Sequence, residues 1–430
     1  MEICVIGGGI VGLATAWYLK QDGHDVTLVE ARAGVGMGTS YANGGQLSYR
    51  YIAPLADPDV LAKIPAWMLR SDAPVRFRPA FDPEQWRWLL GFLQACNQRD
   101  LRYSVAALLP LSLYSKRLIG DLVDARVFDF QWRRNGKLVV HRSEESFAAA
   151  RRLLDTQPEL ASEQRAIDAE ACLGVEPALA RMAPNLRGGI HTPGEEVGDC
   201  LALCRGFEQA LAAGERPVQV LLGEAVEQIE TAGGRLQAVV TASRRLTPDA
   251  CVVASGVDAG KLLKPLGVTV PIYPLKGYSI SPPVREDGGV PSVSITDYQR
   301  KIVYARIGNR LRVAGMADIV GFDTSVKAAR IGTLVNETRE NFGDALDYGD
   351  LAEWAGLRPA TPTGRPIVGA APVAGLWLNL GQGALGFTLA AGCGRVLADR
   401  IAGRQPAVPD EPFSLSAALQ GAPEIPPGSR

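Results

Sequence analysis

The chain opens on a short apolar run with β-branched members, Glu2 to Ile6, which stops at Gly7-Gly8-Gly9 and gives way to a helical pattern from about Ile10 to Gln21. Asp25-Val26-Thr27-Leu28-Val29-Glu30 then reads as a buried strand ending in an acid. Strand, helix and strand in that order predict a βαβ unit, hence a parallel sheet with a right-handed crossover. The stretch from Ile3 to Leu19 is apolar enough to be mistaken for a signal peptide or a membrane span. Glu2 rather than a basic residue precedes it, it is marginal for ~30 Å of hydrocarbon, and glycines interrupt it. A βαβ unit with nothing appended before it is the expectation.

Beyond Gly45 the texture changes to proline-punctuated, aromatic-rich sequence, with Pro65, Trp67, Pro74, Phe77, Pro79, Phe81, Pro83, Trp86 and Trp88, and predicts a second subdomain. Lys137 to His141, Arg300 to Arg306 and Arg310 to Gly315 read as antiparallel strands, the last two forming a hairpin around Gly308-Asn309. Val218 to Leu221 and Ala250 to Ala254 read as buried strands returning to the first domain. The proline-rich tail from Gln405 onward reads as extended over the surface.

Composition narrows the function classes. A chain of 430 residues suits about two domains and a cleft between them. With 45 basic and 46 acidic residues, the formal charge of −1 offers no field for nucleic acid and points to a small-molecule partner. Seven scattered cysteines with no CxxC pair suggest reduced thiols, and three histidines without ligand spacing argue against a metal.

The glycines carry the first chemistry. Gly7-x-Gly9-x-x-Gly12 follows a strand, opens a helix and is answered by Glu30 at the end of the next strand, which is the context a dinucleotide fingerprint requires. Gly7 makes the turn, Gly9 admits the pyrophosphate, Gly12 permits close helix packing, and the helix start at Ile10 and Val11 presents N–H groups to phosphate. Glu30, beside Ala31, would accept from ribose hydroxyls and repel a 2′-phosphate. Two later segments favour FAD over a nicotinamide. Val253-Ala254-Ser255-Gly256 runs a strand into a small-residue turn, where Ala254 and Gly256 let backbone pass near a ligand. Gly381-Gln382-Gly383-Ala384-Leu385-Gly386-Phe387-Thr388 opens a second helix, either as a packing contact or as a helix N-terminus aimed at a flavin.

At these residues the sequence resembles the D-amino acid dehydrogenases of the D-amino acid oxidase and glycine oxidase superfamily, from Ile3 to about Ile401. The signposts are Gly7 to Gly12, Thr39-Ser40-Tyr41-Ala42-Asn43-Gly44-Gly45-Gln46, Asp82-Pro83-Glu84-Gln85-Trp86-Arg87-Trp88, Thr192 to Asp199, Tyr273 to Ser279, Gly356-Leu357-Arg358-Pro359-Ala360-Thr361-Pro362 and the last glycine segment. The resemblance implies an α/β fold: a Rossmann-type FAD-binding domain (1–50, 195–262 and 355–405) with a discontinuous α+β substrate domain on an antiparallel sheet (51–194 and 263–354), then a tail (406–430). It implies oxidation of a D-amino acid, with electrons passing to a quinone or other respiratory acceptor. It places Ser40, Asn43, Gly44, Gly45 and Gln46 along the pyrophosphate and flavin, Val226 at the adenine, and Gly383, Leu385, Gly386 and Thr388 at the second helix start. Gln382 and Ala384 depart from the family's common Gly-His-Gly-Thr-Leu-Gly.

An amino-acid carboxylate suits an arginine fork, and Arg358 is the candidate, the alternative being a surface arginine paired with an acid. Tyr278 and Tyr304 are either hydroxyls completing that site or core tyrosines, and Lys276 either a charge at the flavin's edge or an exposed lysine. No residue stands out as a base. Trp67, Met68, Leu69, Val75, Phe77, Phe81, Trp86 and Trp88, mixed with Arg70, Arg76, Arg78 and Arg87, either dock on a membrane surface or form helices with snorkelling arginines. The expected location is cytoplasmic, or peripheral on the cytoplasmic face of the inner membrane. Two other readings stay open: a flavin oxidase of glycine, sarcosine or another small secondary amine, and a nicotinamide-dependent or non-catalytic nucleotide-binding protein.

Overall fold

In the computed structural model, described for all residues except 59, 61–72, 157–162, 286–288, 421 and 423–430, two large sheets share the chain. The first runs in the order Ile367–Ala370, Leu376–Leu380, Ala250–Val253, Glu2–Ile6, Asp25–Glu30 and Gln219–Leu222. All neighbours are parallel except the Ile367–Ala370 edge. Helix Ile10–Gln21 is buried on most sides, which is why its sequence carries almost no polar stripe. It packs on helix Gly386–Ile401, where a Cβ on Gly394 would stand 3.0 Å from the Ala14 backbone.

The second sheet follows the order Ala352–Ala360, Tyr273–Ser281, Arg310–Ile319, Ile302–Ile307, Ser294–Asp297, Lys137–His141, Gly188–Thr192 and Arg165–Asp168, with Val75–Phe77 beside Ala317–Ile319. It is mixed rather than purely antiparallel: Lys137–His141 runs parallel to Ser294–Asp297 and antiparallel to Gly188–Thr192. The hairpin pairs Ile307 with Arg310 around Gly308, whose φ of +58° suits its turn. The whole strand Ala352–Ala360 belongs to this sheet, although the sequence boundary at 355 divides it. A smaller antiparallel sheet holds Val226–Ala232, Arg235–Thr241 and Arg245–Leu246.

The tail is not simply extended. It forms helical turns at Glu411–Phe413 and Leu415–Gln420, where the buried Arg365 donates to the carbonyls of Pro412 (3.2 Å) and Ala417 (3.4 Å). All seven cysteines are free and buried. Of the aromatic and arginine stretch, Trp67, Met68, Leu69 and Arg70 lie outside the described residues. Helix Pro83–Ala95 buries Trp88 and Phe92 and leaves Trp86, Leu90 and Leu93 on its exposed side. Among the described residues, no helix is long and apolar enough to cross a membrane.

Candidate active site

Two helices begin at the carboxyl ends of parallel strands of the first sheet, Ile10–Gln21 after Glu2–Ile6 and Gly386–Ile401 after Leu376–Leu380. Neither N-cap residue, Gly9 or Leu385, supplies a capping side chain. Helix N-termini at the carboxyl ends of parallel strands suit an anionic ligand.

The three fingerprint glycines divide the work by clearance. Gly7 has φ +116°, and a Cβ there would stand 2.6 Å from the Ala254 carbonyl oxygen. A Cβ on Gly12 would stand 1.8 Å from the Gly7 carbonyl oxygen, so only glycine lets the helix close on the strand. Above Gly9 the nearest atom is Ser40 Oγ at 3.6 Å, leaving the approach open. Ser40 Oγ accepts from the Ile10 N–H at 3.1 Å, while Val11 stays half-buried in the same first turn. Glu30 accepts from Gly8 N–H (2.6 Å) and Arg32 N–H (2.8 Å), one bond to each carboxylate oxygen, which fixes it with lone pairs to spare for ribose hydroxyls. Ala31 beside it is exposed, and half-buried Val226 follows Glu224, whose N–H donates to the Glu30 carbonyl at 3.0 Å. The Ser255 hydroxyl, between Ala254 and Gly256, is buried without a partner. Open space at Gly9, a fixed acid, helix starts whose N-cap residues carry no capping side chain and an orphaned hydroxyl together fit an extended dinucleotide such as FAD.

The 39–46 loop faces the second sheet. Asn43 Oδ1 accepts from the Gly45 N–H (3.0 Å), and Gly45 has φ +65° with no room for a Cβ beside Ile307. Gly44 lies against Val303 and Ala314, Ser279 Oγ donates to the Ala42 carbonyl (2.7 Å), and Arg312 donates to the Asn43 carbonyl (2.8 Å). Gln46 donates to the Ile295 carbonyl (3.1 Å) and accepts from Lys137 Nζ (2.8 Å), which also reaches Ser48 Oγ (2.7 Å). Burial holds the Lys137 ammonium below its usual pKa, opposed by Glu195. At the second helix start, Gly383 has φ +55°, Leu385 and Gly386 are half-buried, and Thr388 Oγ1 accepts from the Ser48 N–H at 3.1 Å. Gln382 is buried, donating to Asn379 Oδ1 at 2.7 Å.

Arg358 lies on the sheet face turned toward this loop. It pairs with Leu275, so it shares that face with Gly277 and Ser279. A Cβ on Gly277 would stand 2.4 to 2.8 Å from Nη2, Cζ and Nη1 of Arg358, so the guanidinium lies on the Gly277 backbone. Nη1 donates to the Met316 carbonyl at 2.8 Å. Met316 has φ +68° at a register shift between strands Tyr273–Ser281 and Arg310–Ile319, a bulge that turns its carbonyl toward Arg358. Burial lowers the guanidinium's pKa, and Asp318 opposes this. Asp318 itself is committed to Arg330, and among the described residues no acid lies within ion-pair distance of Arg358.

Tyr278, Tyr304 and Lys276, expected beside Arg358, lie on the opposite face of this sheet. Alternation separates Lys276 and Tyr278 from Gly277, and Tyr304 pairs with Val313, opposite Ile280. Tyr278 Oη donates to Asp318 (3.2 Å) and Tyr304 Oη accepts from Asn341 (3.0 Å), both within a core that includes Ile331 and Leu334 of helix Ala328–Phe342. Lys276 is fully buried, donates to the Ser325 carbonyl (2.5 Å) and pairs with Asp323 (3.5 Å). Lys137, Met316 and Gly277 are the site's neighbours that the sequence did not single out as site residues. A glycine inside a strand was the available signal for Gly277, since it marks a close approach. Among the described residues, no group of histidines, cysteines and acids could hold a metal.

Residues 2–400 match the family described as DAO, FAD dependent oxidoreductase. The chain belongs to this family. FAD is therefore its cofactor. The chain is 50% identical over 421 residues to D-amino acid dehydrogenase 2 of Pseudomonas aeruginosa, covering 98% of this chain and 99% of that protein. It is likewise 50% identical to D-amino acid dehydrogenase 2 of Ralstonia nicotianae, covering 97% and 100%. In fold it is similar to glycine oxidase from Geobacillus kaustophilus, with a TM-score of 0.76 at 21% identity, covering 96% of this chain and 97% of that one.

Proposed function

We propose that this FAD-dependent oxidoreductase oxidises a D-amino acid at Cα to an imino acid, which water converts to a keto acid and ammonia. The observation that carries the reading is the Arg358 guanidinium, laid on Gly277, bonded to one carbonyl and facing the 39–46 loop without an acid partner. A planar fork in that state suits a substrate carboxylate, which it binds through two parallel charge-assisted bonds. Bound FAD supplies the chemistry itself, accepting a hydride equivalent from Cα and passing two electrons onward. The protein's share is orientation: Gly277 and the Met316 carbonyl fix the fork, and the fork fixes Cα. Two relatives, each 50% identical to the chain and named D-amino acid dehydrogenase 2, support the substrate class and an acceptor other than oxygen, for which we propose a quinone.

The exposed apolar side of helix Pro83–Ala95, with Trp86, Leu90 and Leu93 near Phe81 and Arg87, supports peripheral contact with a membrane that holds such an acceptor. Anaerobic addition of D-amino acids to the purified yellow protein tests the reaction, with loss of flavin absorbance as the expected result. Rapid hydrogen peroxide formation in air, with poor reduction of a soluble quinone, would instead favour an oxidase of glycine, sarcosine or another small amine.

A further inference from the structure

The strand Ala352–Ala360 brings one more side chain to the face that carries Arg358. Trp354, Gly356 and Arg358 alternate along it and pair across the sheet with Ser279, Gly277 and Leu275. A Cβ on Gly356 would stand 2.0 Å from Cη2 and 2.2 Å from Cζ2 of Trp354, so the benzo end of the indole lies directly on Gly356. The guanidinium lies on Gly277, the residue opposite Gly356. Opposed residues in an antiparallel pair stand ~4.5–5.5 Å apart. Indole and guanidinium therefore rest side by side on a floor of two glycines. Met316 bonds the guanidinium from the neighbouring strand on the far side, Arg310–Ile319, so the indole borders the remaining flank.

We propose that Trp354 is the specificity-determining wall of this site: with its carboxylate on Arg358, a substrate lays an apolar, above all aromatic, side chain against the indole. The inference rests on the carboxylate reading of Arg358 and narrows it to a class of D-amino acid. An aromatic side chain gains both apolar area and offset or edge contact from such a wall, whereas the methyl of D-alanine reaches little of it. Trp354 is only partly buried in the protein alone, so ring surface remains for a ligand. The glycine at 356 is what lets the ring lie down, because any side chain there would lift it.

The test compares D-phenylalanine and D-alanine on the flavin-loaded enzyme, with a redox dye as acceptor, in the wild type, Trp354→Ala and Trp354→Phe. Trp354→Ala is expected to lower kcat/KM for D-phenylalanine about 30-fold, mostly through KM, a loss on the scale of apolar-pocket discrimination. On D-alanine it changes little, and Trp354→Phe keeps most of the preference. An unchanged flavin spectrum and Tm certify the fold, and Trp354→Leu replaces the alanine variant if that one loses its flavin. Equal losses on both substrates, or none on D-phenylalanine, overturn the wall while leaving Arg358 in place. Failure of both D-amino acids to reduce the wild-type flavin, with glycine or sarcosine reducing it, overturns the D-amino acid reading and the wall with it.

Discussion

Replacing Gly277 with alanine separates stability from activity at one atom. Gly277 sits in the middle of strand Tyr273–Ser281 with ordinary negative φ, so alanine suits the backbone and is expected to leave stability unchanged or raise it by ~0.5–1 kcal/mol. Its Cβ, however, would stand 2.4 Å from Nη2, 2.6 Å from Cζ and 2.8 Å from Nη1 of Arg358. Ordinary contact is ~3.5–4.0 Å, so the guanidinium must rise by about 1 Å and strain its bond to Met316. A shift of that size in a positioning group costs about 100-fold, or ~2.7 kcal/mol at ~1.36 kcal/mol per decade. Steady-state kinetics with a D-amino acid and a dye, beside urea unfolding, would show KM sharply raised in a protein as stable as the wild type. In an Arg358→Ala background the same change should add almost nothing. Wild-type KM in Gly277→Ala would refute the placement of the carboxylate on Arg358.

Three further outcomes follow from the geometry. Arg358→Lys keeps the charge but loses the fork, and kcat/KM is expected to fall about 10- to 100-fold, since a charge-assisted bond is worth ~1.5–3 kcal/mol at ~1.36 kcal/mol per decade; steady-state kinetics checks it. Gly12→Ala puts a Cβ 1.8 Å from the Gly7 carbonyl oxygen, so the purified variant should show a low ratio of flavin to protein absorbance and a lowered Tm. Burial, aided by Lys301 and opposed by Asp297, lowers the pKa of His141 to about 4, which favours the neutral ring in the folded state. Its stabilising contribution is therefore complete above the unfolded value of ~6.5 and is lost as the pH falls toward 4, by at most ~3 kcal/mol. Urea unfolding from pH 7 to 4 should show a steeper decline in the wild type than in His141→Phe.

The first sheet was legible because each of its signals is local. The βαβ unit needs only contiguous residues, and the tasks of Gly7, Gly9 and Gly12 follow from backbone clearance that glycine alone provides. The second sheet was read less well, since a strand such as Lys137–His141 does not reveal whether its neighbour runs parallel. Arg358 was visible in Gly-Leu-Arg-Pro, but its partners were not. Tyr278 and Lys276 look like companions of Arg358 in sequence, yet strand alternation and the registers with Ala355 and Leu357 turn them to the opposite face, where Asp318 and Asp323 satisfy them. That face could be assigned only once the pairing was known. Met316 left no trace at all, because a bulge with positive φ at a methionine depends on the strands around it.

The central claim is that this flavoprotein takes a hydride equivalent from an amino acid whose carboxylate rests on Arg358. Anaerobic titration of the flavin absorbance with D- and L-enantiomers, in the wild type and in Arg358→Ala, tests it most directly. The account predicts bleaching by the D-enantiomer in the wild type, little by the L-enantiomer, and a half-saturating concentration at least about 100-fold higher in Arg358→Ala. Bleaching of the variant at the wild-type concentration would contradict it.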